Sequence, residues 1–468
     1  MMENEVIKSG LKNSIIVVIT QSVSLVLGIL KILILPIMLG TTNFGYWQVY
    51  LLYISYVGVF TLGFNDGIYL RYGKYNYQDL PKKVFRSSIR VFISIQICIM
   101  LIVSLLILLE PDIEKQKALL WASINIPITG LSGVLIYILQ VTNQIKKYSI
   151  YTILDKIIVL LIIILLFIFK TDQYILVVIV DTFSKVIVLA IMCYSCKDIL
   201  YGKGINIKTA YKELFENISV GIKLMLANLA GMLVLGFGRF IIERFENVEV
   251  YGTYSFALST INLLLVFISA VGLVIYPTLN RLEEKRYSKY FVELNNIMVI
   301  IVFGLLIFYF PLYVFISRVM NEYVQIFEYL PIIFAIIFIQ SKMQILINPY
   351  YKLLRQEKAM LRANIVGVII AILIIVPSYL INKSVLMVAI GTFLAMGIRL
   401  YLSEIYLKKI LSINYKSNII VEIFGIIIFI FFAYQSNLLI GFFGYLIVFC
   451  ICLIRNIKTV NQFIRYLF

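Results

Sequence analysis

The chain has 468 residues, 62% of them hydrophobic, with a mean hydropathy of +0.98. Soluble domains run about 45–50% apolar, so the composition excludes an ordinary soluble protein. There is no histidine, which removes histidine acid–base catalysis, histidine metal sites and Ser-His-Asp triads.

Apolar stretches of about 17–25 residues, each able to span about 30 Å of hydrocarbon, follow one another along the chain. About fourteen predicted spans lie near 13–38, 45–65, 88–109, 118–141, 152–169, 174–195, 219–242, 252–276, 294–316, 329–349, 363–381, 384–405, 418–433 and 438–454. The connections on one side are short, as at 40–44 and 381–384, leaving no room for a catalytic domain. The longer polar segments, 69–90, 196–218 and 277–295, read as amphipathic connectors at the membrane surface. The first apolar stretch is too long for a signal peptide and lacks its small-residue cleavage site.

Charge placement gives the orientation. One set of alternate connections, with both termini, holds roughly thirty of the 41 Lys and Arg, from Lys8 and Lys12 to Lys458 and Arg465. The other set holds about six: Lys115, Lys117, Lys170, Arg244, Arg318 and Lys383. The positive-inside rule then places both termini in the cytoplasm and accounts for most of the net charge of +17 without nucleic acid. The five cysteines lie in or beside apolar stretches, and Cys193-Tyr-Ser-Cys196 has no partner pair that would make it a zinc or redox site.

The chain repeats itself. LGILKILI at 27–34 matches LGFGRFII at 235–242 with a shift of 208, which pairs Lys31 with Arg239. Phe44-Gly45-Tyr46-Trp47 matches Tyr251-Gly252-Thr253-Tyr254 at 207. This predicts an all-α polytopic membrane protein with two parallel six-helix lobes, 1–208 and 209–412, related by a pseudo-twofold axis. Residues 413–468 add two helices and a cytoplasmic tail.

Charges at membrane depth cost at least about 2.5–3.5 kcal/mol each, so they mark candidate sites. In span one, Asn13, Thr20, Ser24 and Lys31 recur at helical spacing, a polar stripe too costly to face lipid. Span seven carries Asn228 and Arg239, with Gly231 on the same side. Arg239 also stands four residues before Glu243, within pairing reach, and lies close enough to its helix end to snorkel. Span ten carries Gln340, Lys342, Gln344 and Asn348, and Lys342 is too central to snorkel. Span eight carries Ser255, Ser259, Asn262 and Ser269. In span six, Asp181 and Lys185 share a face and read either as a structural ion pair or as an ion-coupling site. Asp66 ends span two and is a further coupling candidate or a cap, while Gly63-x-x-x-Gly67 permits close helix packing. Arg399 and Glu404 are expected at an interface.

Ser9-Gly10-Leu11-Lys12-Asn13-Ser14, Gly45-Tyr46-Trp47, and Leu62-Gly63-Phe64 with Leu70-Arg71-Tyr72 resemble the Wzx-type polysaccharide flippases of the MOP superfamily, which are related to MATE exporters and lipid II flippases. The resemblance implies two bundles in a V in a bacterial inner membrane. It also implies a transporter, not an enzyme, moving an undecaprenyl-pyrophosphate-linked oligosaccharide outward for O-antigen or capsule synthesis. Cavity cations would hold the anionic cargo; the matching candidates are Lys31, Arg239 and Lys342, with Asn228, Gln344 and Ser24 beside them. Asp181, Lys185 and Asp66 are candidates for coupling to H+ or Na+. No cofactor or metal is implied, and polysaccharide polymerase machinery is an expected partner. Two alternatives stand beside this. A MATE-type drug/cation antiporter would favour an acidic cavity, whereas central cations outnumber acids here. A membrane-embedded polymerase or transferase would be expected to show a large external loop or catalytic clusters.

Overall fold

The computed structural model describes residues 2–73, 75–279, 283–413 and 417–455. The side chains of Lys8, Lys12, Asn13 and Ser269, and Arg281, Lys458 and Arg465 altogether, lie outside the described residues. Among the described residues all regular structure is helical. The chain forms two compact units, 1–229 and 230–468.

The first unit opens with α1 (Met2–Tyr56), a 55-residue helix broken at Gly40. Gly40 has φ 66° and ψ 179°, a conformation essentially reserved for glycine. The expected connection at 40–44 is therefore a one-residue break between two arms. Then come α2 (Phe64–Arg71), α3 (Lys82–Ile107), α4 (Ile113–Val141), α5 (Ile145–Ile168), α6 (Tyr174–Ser195) and the single turn α7 (Lys197–Leu200). Helix α8 (Ile207–Phe245) carries the chain into the second unit. The sequence suggests a surface connector up to residue 218. Instead, its latter part is the first third of α8, continuous with the span.

The second unit continues with α9 (Val248–Leu279), α10 (Tyr287–Leu306), α11 (Tyr309–Val319), α12 (Leu330–Lys342), α13 (Asn348–Leu353), α14 (Glu357–Asn382) and α15 (Val385–Ile410). It ends with α16 (Ser417–Ala433) and α17 (Leu438–Arg455). A π-helical turn, Met343–Ile347, joins α12 to α13 without a break. Counting the two arms of α1, with α10–α11 and α12–α13 as single crossings, these helices supply the fourteen spans read from sequence. Large apolar side chains lie outward where lipid would meet them; Leu105 and Leu373 are 66% and 67% exposed.

Local chemistry fixes the helix ends. Asp112 caps α4, accepting from the backbone N–H groups of Glu114 (2.9 Å) and Lys115 (3.1 Å). Tyr46 donates to the same carboxylate at 2.9 Å, docking the second arm of α1 onto the start of α4. At the other end, Lys82 (2.8 Å) and Tyr77 (2.8 Å) both reach Asp198. Burial alone would raise this carboxyl, but those two partners hold it below the usual carboxylate range.

Helices α2 and α8 cross at backbone contact. A Cβ at Gly221 would lie 2.0 Å from the Gly63 carbonyl oxygen and 2.3 Å from the Gly67 nitrogen. Arg71 locks the crossing through Glu213 (2.7 Å) and Asn217 (2.9 Å), and Tyr72 donates to Glu213 at 2.7 Å. Gly221→Ala should therefore destabilise by at least the upper end of about 1–3 kcal/mol. Gly28→Ala, with nothing within 4 Å of its new methyl, should be neutral or gain about 0.5–1 kcal/mol. Thermal unfolding of the two purified variants in detergent checks both.

Candidate functional site

In the first unit the polar positions of α1 turn inward. Thr20 and Ser24 are buried, and Lys31 is 25% exposed. The Lys31 ammonium lies 4.6 Å over the Trp47 ring, held by cation–π attraction, and donates to Asp181 at 3.4 Å. Asp181 is the centre of the site. Lys185, one turn on along α6, donates to its other oxygen, and Tyr50 donates to that oxygen at 2.8 Å. Behind Tyr50, Asn125 of α4 donates to the Tyr50 hydroxyl (3.3 Å) and to Thr182 (3.0 Å). The carboxylate is thus clamped by two helices and a buried amide. On the neighbouring helix α5, Asp155 accepts from Ser184 at 2.8 Å.

Exposure decides what this cluster presents. The Asp181 side chain is 7% exposed, while Lys31 and Lys185 are each 25% exposed. The two cations are the more exposed members of the cluster and the acid is the more shielded one. Periodicity points to Asp181 and Lys185 together; it does not find Lys31 on the same carboxylate, nor Tyr50, Asn125 and Thr182. Asp66 stands apart, buried in the first turn of α2 beside Asn65. Asn228 is exposed on α8.

In the second unit, Arg239 donates to the Tyr251 hydroxyl at 3.2 Å, with the ring 5.9 Å away. The two cations paired by the repeat each lean on an aromatic ring from the segment that the same repeat aligns.

Lys342 has a different environment from the one its sequence position suggests. It is fully buried and bonded to Glu404 (2.8 Å) and Glu422 (2.6 Å). Lys408 closes on Glu404 at 2.7 Å, and Asn295 donates to Glu422 at 2.9 Å. Two ammonium groups meet two carboxylates, so the network is neutral and joins α10, α12, α15 and α16. Glu404, expected at an interface, is 2% exposed, and Arg399 is 5% exposed. Glu404 meets Lys408 one turn on and Lys342 from α12, and only the first of these is visible in the spacing of α15.

Along α12, the π turn and α13, every residue from 330 to 351 is buried except Gln340, Gln344 and Asn348. In a pure α-helix, positions four apart drift around the axis. The underwound π turn offsets that drift and keeps three amides in line. A helix enclosed on its other sides meets open space only through this row.

A family model described as polysaccharide biosynthesis protein matches residues 10–283, more than half of the chain. The chain belongs to that family. No curated protein sequence matches it significantly. Among solved structures, this polysaccharide-biosynthesis protein is similar to the lipid II flippase MurJ in an inward closed conformation. The TM-score is 0.61 at 14% identity, covering 98% of this chain and 99% of that one. It is also similar to a MATE transporter in complex with MaL6, with TM-score 0.53, 12% identity and 86% and 96% coverage. An outward-facing multidrug-resistance MATE transporter of the MOP superfamily gives 0.51 at 12% identity, with the same coverage. The family member therefore has the MurJ and MATE fold and is a multi-pass membrane protein.

Removing one member of a buried ionic network strands the others, at a cost of about 3–5 kcal/mol. Lys342→Met should lose stability on that scale. The double variant Lys342→Met with Glu422→Gln should recover part of it, because one stranded charge is gone. Unfolding temperatures of the two variants in detergent read this directly.

Proposed function

We propose that this protein flips an undecaprenyl-pyrophosphate-linked oligosaccharide from the cytoplasmic to the outer leaflet of a bacterial inner membrane by alternating access. On this reading it serves surface polysaccharide synthesis, O-antigen or capsule, beside the polymerase machinery. The polysaccharide family and the likeness to a lipid II flippase support the class of cargo. The observation that carries the reading is the pair of lysines, Lys31 and Lys185, whose side chains are each 25% exposed while the carboxylate they share is 7% exposed.

A glycan on a pyrophosphate cannot cross about 30 Å of hydrocarbon alone, because its charges and hydroxyls would lose their hydrogen bonds. Lys31 and Lys185 offer charge-assisted bonds to the pyrophosphate oxygens. Asp181 competes for the same ammonium groups, so cargo binding trades one anion for another and the site releases what it binds. The amides of Gln340, Gln344 and Asn348 suit sugar hydroxyls, which both donate and accept. Ser24 and Asn228 are further proposed substrate-binding groups of the first unit and Arg239 of the second, while Lys342 acts through the packing of its helix. Asp181 and Asp66 are the groups we assign to any coupling with H+ or Na+.

On this reading the basic connections and both termini face the cytoplasm, as the positive-inside rule favours. Outward movement of two negative charges across an inside-negative 100 mV gains about 4–5 kcal/mol, so export runs downhill in charge. The exporter reading for cationic drugs fits less well, since the shielded group is the acid and the accessible groups are cations.

Lys31→Ala and Lys185→Ala should each reduce flipping of a lipid-linked oligosaccharide in proteoliposomes by about tenfold or more, as expected for losing a charged hydrogen bond worth about 1.5–3 kcal/mol. Each single variant leaves Asp181 one ammonium group and the Tyr50 hydroxyl, so both should still unfold as a cooperatively folded chain. Undiminished flipping by the double variant would overturn the reading.

A further inference from the structure

The turn that follows α6 gathers positive charge that its surroundings do not cancel. Arg86 of α3 donates to the Asp198 carbonyl oxygen at 2.8 Å and to the Lys203 carbonyl oxygen at 3.0 Å. Arg90 donates to the Gly202 carbonyl oxygen at 2.8 Å. A backbone carbonyl is a neutral acceptor, so it orients a guanidinium without removing its charge. Lys197 lies 5.5 Å over the Tyr194 ring. Among the described residues no carboxylate comes within ion-pair distance of Arg86, Arg90, Lys197 or Lys203.

The acids of the adjoining segments are committed elsewhere. Asp198 itself bonds Lys82 and Tyr77, each at 2.8 Å. Glu213 and Glu216, in the part of α8 that belongs to the first unit, are engaged by Arg71. Lys82, Arg86, Arg90, Lys197 and Lys203 therefore answer to one carboxylate, and the collar they form keeps a net positive charge.

A cavity of about 800 Å³ opens against this turn. Val186, Leu189 and Cys193 line its apolar length along α6, and Tyr194, Lys197 and Tyr201 line its polar end. The apolar wall runs about 10 Å along the helix axis. Tyr194 and Tyr201 are exposed, the placement aromatic residues favour where hydrocarbon gives way to water. The cavity thus offers two chemistries in a fixed order: room for a hydrocarbon chain, then an ammonium group whose charge is uncancelled.

We propose that this groove binds one phospholipid with a net negative headgroup, of the phosphatidylglycerol type. An acyl chain lies along α6 from Val186 to Cys193, and the phosphate accepts a charge-assisted hydrogen bond from Lys197 beside the collar. Ordinary lipid contact accounts for an apolar helix face, but it gives no reason for uncancelled cations at one end of it. A zwitterionic lipid brings its own cation and gains less from the collar. A free anion gains nothing from the apolar length. The site is distinct from the cluster around Asp181 and does not depend on the transport reading.

The test is native mass spectrometry of the purified full chain in an uncharged detergent, titrated with phosphatidylglycerol or phosphatidylcholine of identical acyl chains. The wild type should hold one phosphatidylglycerol about tenfold or more tightly than phosphatidylcholine, and Lys197→Gln should remove that preference. Ala190→Trp, an exposed position on the cavity wall, should fill the groove and weaken phosphatidylglycerol binding by about tenfold while the collar stays intact. Both substitutions are at exposed positions, so both variants should fold. Equal binding of the two lipids by the wild type, or a full preference in Lys197→Gln, would overturn the site. Displacement of the lipid by an equal concentration of inorganic phosphate would do the same, since the apolar length would then contribute nothing. Undecaprenyl phosphate binding the wild type tenfold more tightly than phosphatidylglycerol, with Lys197→Gln abolishing the difference, would make the cargo lipid the occupant instead. A lipid-free dimer that Ala190→Trp converts to monomers would make it a second copy of the chain.

Discussion

Few charges enter the interior of this bundle, and hydrocarbon on the outside gives each of them a strong demand for a partner. Asp181 meets the demand for two lysines at once. The carboxylate is fixed by a tyrosine and, through it, by an asparagine, so the ammonium groups are held in place while their outer faces stay accessible. In the second unit the demand is met more completely: Lys342, Lys408, Glu404 and Glu422 satisfy one another in a sealed set. The contrast between a half-open and a closed cluster is the main chemical difference between the two units. It separates cations that keep part of their surface exposed from a cation that is wholly enclosed.

The helical framework follows from the sequence because the bilayer enforces it. Span length and apolar composition are local signals, and they agree with the structure at the level of whole helices. The departures are local too. Gly40 makes a break where a loop is expected, and α8 absorbs much of a segment whose Lys-apolar alternation resembles a surface connector. An amphipathic stretch and the first turns of a long span have the same periodicity, so pattern does not separate them.

The site was legible where its members share a helix. Asp181 and Lys185 are four apart, and the Gln340, Gln344 and Asn348 row is visible as a spacing of four. It was illegible where partners come from different helices. Lys31 meets Asp181 across 150 residues, and Lys342 meets Glu422 across 80. Nothing in the periodicity of α12 says that α16 will bring it an acid. The burial of Arg399 and Glu404 was hidden for the same reason: a charge in the second half of a span reads as interfacial until its neighbours are known. The repeat was the one long-range signal, and it led to Lys31 and Arg239 because aligned positions inherit aligned surroundings.

The link between Lys342 and Glu422 also bears on biosynthesis. Helix α12 leaves the ribosome 80 residues ahead of the acid on α16 that completes its charge set. At about 5–20 residues per second, Lys342 waits about 4–16 s in the membrane, with Glu404 arriving in between. During that interval the nascent second unit holds an incompletely neutralised lysine. It therefore depends on the insertion machinery, or on water drawn in beside the helix, until the terminal hairpin docks.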